Sequence, residues 1–101
     1  MAGYKKENTD EKLYEAAKER LELIEKTVME TPDEQYHIKM EGMNFSRKFI
    51  EKTTHLLKQI LNGETIDYET FYRSINLEML ANSRGWNTLR YYARQKSWEE
   101  E

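Results

Sequence analysis

The side chains able to do chemistry in this chain fall into two sets. The first holds the two histidines, His37 and His55, with Glu41 four residues beyond His37. An i,i+4 His–Glu pair could form one side of a metal site. Along a continuous helix, however, His55 lies about 27 Å from His37 at 1.5 Å per residue. With no cysteine in the chain, no third soft or imidazole ligand is at hand. No metal and no cofactor is therefore expected. Catalytic signatures are missing as well: there is no glycine-rich phosphate loop, no nucleophile elbow and no His-Glu-x-x-His. The carboxylates are strung along solvated helix positions. Enzymatic chemistry needs a pocket of about 300 Å³ or more with converging polar groups, and nothing in the spacing builds one. The expectation is a non-enzymatic protein.

The second set is denser. Residues 84–98, "RGWNTLRYYARQKSW", carry Arg84, Arg90, Arg94 and Lys96 together with Trp86, Tyr91, Tyr92 and Trp98. On a helix Arg90 and Arg94 stand one turn apart, with Tyr91 and Trp98 near the same side. Two chemistries fit. Tyr, Trp, Met and Arg are the residues enriched at the centres of protein interfaces. Tyr36, Met40, Tyr91, Arg94 and Trp98 are accordingly candidate partner-binding residues, since Tyr4, Tyr14, Tyr36, Met40, Tyr91 and Trp98 lie off or at the edge of the apolar stripes traced below. Alternatively, Arg84, Arg90, Arg94 and Lys96 contact phosphates while the rings stack on unpaired bases.

"TLRYYAR", residues 88–94, also resembles the recognition-helix segment of the mercury-resistance-regulator family, over about fifteen residues of the 101. The resemblance implies a helix-turn-helix with Gly85 in the turn, Ala81 four residues before it, and the following helix in the major groove. Here Trp86 and Asn87 alone stand between Gly85 and Thr88, where the family has four residues. Two fewer residues rotate the helix by about 200° relative to the one before it.

Charge separates the chain into halves. Residues 1–42 carry seven Lys/Arg and eleven Asp/Glu, a balance of −4; residues 43–98 carry nine and five, or +4; three terminal Glu complete the net −3. The asymmetry suits either a nucleic-acid face with an acidic arm or two halves of a bundle that attract each other. No apolar run approaches the roughly 18 residues of a membrane span, and the N-terminal residues lack an apolar leader. A soluble, cytoplasmic protein is expected.

The elements that must position these residues read as helices. One proline and four glycines are too few for a β protein, which needs breakers every ~8–12 residues. Leu13, Ala17, Leu21, Ile24 and Val28 mark one face of a first helix over residues 9–30. "TPDE" at 31–34 has the form of a capping box with Pro at the first helical position. It predicts a second and longest helix over 32–62, with the stripe Ile38, Gly42, Phe45, Phe49, Thr53, Leu56 and Ile60. Gly42 on that stripe marks either a close helix approach or a kink. The width of the stripe suggests packing between several helices or sharing with a second copy. Asp67 caps a third helix, 67–83, with Ile66 and Phe71 as its hydrophobic staple. Asn87 caps a fourth, 87–98, burying Trp86, Leu89, Tyr92 and Ala93. The expected protein is an all-α bundle of about four helices in one domain (9–98), with a flexible tail at 1–8 and an acidic tail at 99–101. Its expected role is that of a small regulator or inhibitor of a protein partner.

Overall fold

The computed structural model describes residues 9–78 and 83–99. The tail at 1–8, with Tyr4, and the positions Met79, Ala81, Glu100 and Glu101 lie outside them. The chain is mostly helical: α1 (Thr9–Met29), a hairpin of β1 (His37–Met40) and β2 (Met43–Ser46), then α2 (Arg47–Leu61), α3 (Tyr68–Glu78) and α4 (Arg84–Glu99).

The second helix expected over 32–62 is corrected. Its first half is a turn and an antiparallel hairpin in which His37 faces Ser46, Ile38 faces Phe45, Lys39 faces Asn44 and Met40 faces Met43. Alternation explains the strands: Ile38, Met40 and Phe45 point into the core, while His37, Lys39 and Asn44 are exposed. Glu41 and Gly42 form the two-residue loop, both at positive φ (55° and 80°), the backbone that a type I′ hairpin turn demands. Gly42 is thus a turn residue, neither a helix contact nor a kink. "TPDE" closes a turn instead of opening a helix. Thr31 donates its hydroxyl back to the Thr27 carbonyl at 2.7 Å, and the Gln35 N–H donates to the Pro32 carbonyl. Arg47 then donates to the carbonyls of Pro32 and Gln35, both at 2.8 Å. The helix begins after Ser46, whose Oγ accepts from the Phe49 N–H.

Two further boundaries move. Asp67 does cap α3, accepting from the Thr70 N–H at 3.1 Å. For α4, Ser83 rather than Asn87 is the cap: its Oγ accepts from the Trp86 N–H and its carbonyl from the Asn87 N–H. Gly85 therefore lies in the first turn of α4, and Glu99 belongs to the helix rather than to a tail.

The core gathers on Trp86, which is 0% exposed, with Phe45 and Phe49 at 5.6 and 5.7 Å between ring centroids. Leu13, Ala17, Leu21 and Ile24 of α1, Ile50, Leu57 and Ile60 of α2, Phe71 and Ile75 of α3, and Leu89 and Ala93 of α4 complete it. Burial of one such large side chain is worth roughly 1.5–3 kcal/mol. The wide stripe of the second segment is therefore divided between hairpin and α2 and covered within one chain. Tyr92 is half-buried against this core. The α1 and α4 helices run antiparallel, because Asp10 at the start of α1 pairs with Lys96 late in α4, while Arg20 farther along α1 lies against Trp86 early in α4.

Candidate partner-binding surface

Helix α4 is the element that presents the candidate residues. Its inner positions, Trp86, Leu89 and Ala93, are buried, and α1 and α3 flank it. The exposed positions are Arg84, Thr88, Tyr91, Arg94 and Trp98, followed by Glu99 at the helix end. The steps of four, three, three and four residues make one stripe, about 21 Å long at 1.5 Å per residue. Tyr91 and Trp98 are 51% and 52% exposed, large rings left half in water.

Helix α3 holds this stripe in shape. The Arg94 guanidinium carbon lies 4.7 Å from the Trp98 ring centroid and 5.5 Å from that of Tyr72 on α3. Arg90 approaches Tyr72 as well, at 5.9 Å, and donates to the Asn76 side-chain oxygen at 2.9 Å. Such cation–π contacts are worth about 0.5–1 kcal/mol where exposed. Beside them Arg73 pairs with Glu69 at 2.5 Å. A shallow cleft of about 200 Å³ opens among Glu69, Tyr72, Arg73, Arg94, Ser97 and Trp98. Tyr72 reads from its spacing as part of the apolar face of the third helix, but spacing along one helix does not reveal that it and Arg73 lie alongside α4.

Two of the candidate residues fall elsewhere. Met40 is only 3% exposed. As the strand neighbour two residues beyond Ile38 it faces the core, whereas on a helix it would sit at the edge of the stripe. Tyr36 is 71% exposed but precedes β1, past the C-terminal end of α1. Trp98 follows Lys96 by two residues, and Lys96 pairs with Asp10 at the start of α1, so the two rings lie toward opposite ends of α1. The surface therefore unites Tyr91, Arg94 and Trp98 and excludes Met40 and Tyr36.

The four cations do not form one basic track. Lys96 points about 160° away from Arg94 around the helix and meets Asp10 at 2.7 Å. Arg90 is held by Asn76 and Tyr72. Arg84 and Arg94 alone share the outward stripe. Acidic α1 is bound to the later elements by charge, through Lys96–Asp10 and Lys58–Glu25, in keeping with two halves that attract each other. Gly85 is helical, so the turn that the helix-turn-helix resemblance places there is absent. Exposed His37 and His55 sit on β1 and α2; among the described residues, no three His, Asp or Glu side chains gather where they could hold a metal ion. Nor is any helix among them long and apolar enough to cross a membrane.

A second Arg–aromatic cluster lies inside. Arg20, 6% exposed, sets its guanidinium carbon 5.1 Å from the Trp86 ring centroid. Its Nη1 donates to Glu41 Oε1 at 2.8 Å, and the Ser83 hydroxyl donates to the same oxygen at 3.1 Å. One carboxylate thus joins α1, the hairpin loop and the cap of α4. The Arg20 hydrogen bond, aided by its charge and by Ser83, holds the Glu41 carboxyl below the ordinary glutamate value against the opposing effect of burial. A Cβ on Gly85 would overlap Arg20 Nη2, so the guanidinium occupies the space where any other residue would put its side chain. Among the described residues, Arg20 Nε and Trp86 Nε1 are buried without an acceptor. The signal for Arg20 was present in the sequence, since it continues the Leu13, Ala17, Ile24 face at steps of three and four.

No protein-family model, no curated protein and no solved structure matches this chain.

Proposed function

We propose that this chain is a non-enzymatic interaction module, a small cytoplasmic regulator or inhibitor that occupies a surface of a larger protein partner with the outward stripe of α4. The observation that supports this is the half-exposed pair Tyr91 and Trp98 flanking an Arg94 held by stacking. Large rings left in water beside an ordered guanidinium have the composition of an interface centre. The absence of cysteines fits a reducing compartment.

Affinity capture from source-cell extract with the wild-type chain, Trp98→Ala and Tyr91→Ala tests the reading. A partner held by the wild type and lost from both variants, with unchanged melting temperatures, is the expected result. A large fall in melting temperature would give those rings a role in the fold instead. Anisotropy of labelled single-stranded DNA, duplex DNA and RNA at about 50 and 200 mM salt checks the competing chemistry. Tight binding that weakens steeply with salt would replace the protein partner with a nucleic acid.

A further inference from the structure

We infer that the partner's contribution at Arg94 is a carboxylate, carried by an Asp or Glu next to an apolar residue in an acidic-apolar segment of a protein. The inference rests on the α4 stripe being the interface. The exposed Arg94 sets its guanidinium carbon 4.7 Å from the Trp98 ring centroid and 5.5 Å from that of Tyr72, and its N–H groups point outward from that carbon. Among the described residues, no hydrogen bond or ion pair engages them. A planar fork flanked by two rings and without an acid of its own among the described residues is suited to bidentate recognition of a carboxylate. Less side-chain freedom remains to be lost on binding.

The chain itself supplies the matching example. The Arg20 guanidinium carbon likewise lies 5.1 Å from the Trp86 ring centroid, and there one of its N–H groups, at Nη1, is met by the Glu41 carboxylate at 2.8 Å. A row of phosphates fits less well, because it calls for cations in sequence along the track. The neighbouring Arg73 is already paired with Glu69, which lines the same cleft. One carboxylate satisfies the open fork, and an apolar side chain next to it covers the exposed ring of Trp98.

Selection of a displayed peptide library on the immobilised chain tests the inference. The expected outcome is enrichment of peptides with Asp or Glu beside an apolar residue. A synthetic copy of one should bind Arg94→Gln at least about tenfold more weakly, and Arg94→Lys should recover only part of that loss, because the charge returns without the fork. Thermal melts of all variants serve as the folding control. Enriched peptides without acids, bound equally by Arg94→Gln but lost with Trp98→Ala, would overturn the carboxylate and leave the surface standing. No enrichment, or binding indifferent to Trp98, would overturn both. Arg94-dependent binding of a labelled single-stranded oligonucleotide in place of the peptides would overturn the carboxylate in favour of phosphate.

Discussion

Arg20 and Arg94 are laid against tryptophan rings at similar distances, 5.1 and 4.7 Å, and differ in what meets their edges. Arg20 is inside the protein, where a charge without a partner is costly, and Glu41 is brought to it by a hairpin. Arg94 is in water, where no partner is needed for folding, and among the described residues none is provided. The interior arrangement spends its binding capacity on joining three elements. The exterior arrangement keeps that capacity for something outside the chain. Stacking is common to both, so the carboxylate is what distinguishes a structural arginine from one available for recognition.

The contrast makes unequal demands on stability. The largest effect should come from Glu41→Ala, which leaves the Arg20 guanidinium buried without a carboxylate. A loss of about 3 kcal/mol is expected by urea denaturation. A loss below ~1 kcal/mol would mean that Arg20 swings to solvent and that the two arginines are alike. Gly85→Ala comes next. Helix propensity alone would favour alanine by up to ~1 kcal/mol, but the new methyl must displace the guanidinium. A net loss of about 1–3 kcal/mol is expected, as for overpacking of a filled site.

Acid sharpens the comparison further. The Glu41 carboxyl is held below its ordinary value of 4.5, so its contribution is complete above that pH and is lost as the pH falls through the lowered native value. Stability measured from neutral pH down to acid should therefore decline more steeply in the wild type than in Glu41→Gln. Asp67, lowered by the backbone N–H and hydroxyl of Thr70, leaves a residual slope in both. Equal slopes would remove Glu41 from the account. The smallest change should be that of Arg94→Ala, about 1 kcal/mol or less, since it removes only exposed contacts with the Trp98 and Tyr72 rings. A cost comparable to Glu41→Ala would show the outer cluster to be structural.

Much of this arrangement was legible in the sequence, and the failures have physical causes. The faces of α1 and α4 emerged from 3.6-residue spacing because each buries a single stripe. The hairpin was hidden by a coincidence of distance. Ile38 and Phe45 are cross-strand partners over a two-residue loop, which sets them seven apart, and seven is also two helical turns. The alternation of His37, Ile38, Lys39 and Met40 and the Glu-Gly pair carried the correct signal, but the capping-box form of residues 31–34 outweighed it. Arg20 lies on the apolar face of α1, but a charged residue there is ordinarily solvated, and spacing alone does not reveal the Glu41 that allows its burial. Tyr91 and Trp98 were legible as exposed from their places off the stripe. The contact of Arg94 with Tyr72 was not, since it depends on which helix packs alongside α4.

Gly85 and Arg20 also constrain how this sequence can drift. While Arg20 is present, almost any replacement of Gly85 meets its guanidinium. Once Arg20 shrinks, a larger residue at 85 can fill the space left behind. The two positions should therefore show sign epistasis: Gly85→Ala harmful on its own and neutral or favourable with Arg20→Ala. Change at Gly85 must pass through Arg20 first, at the expense of leaving Glu41 without its cation, so the glycine in the opening turn of α4 is guarded by a residue sixty-five positions earlier in the chain.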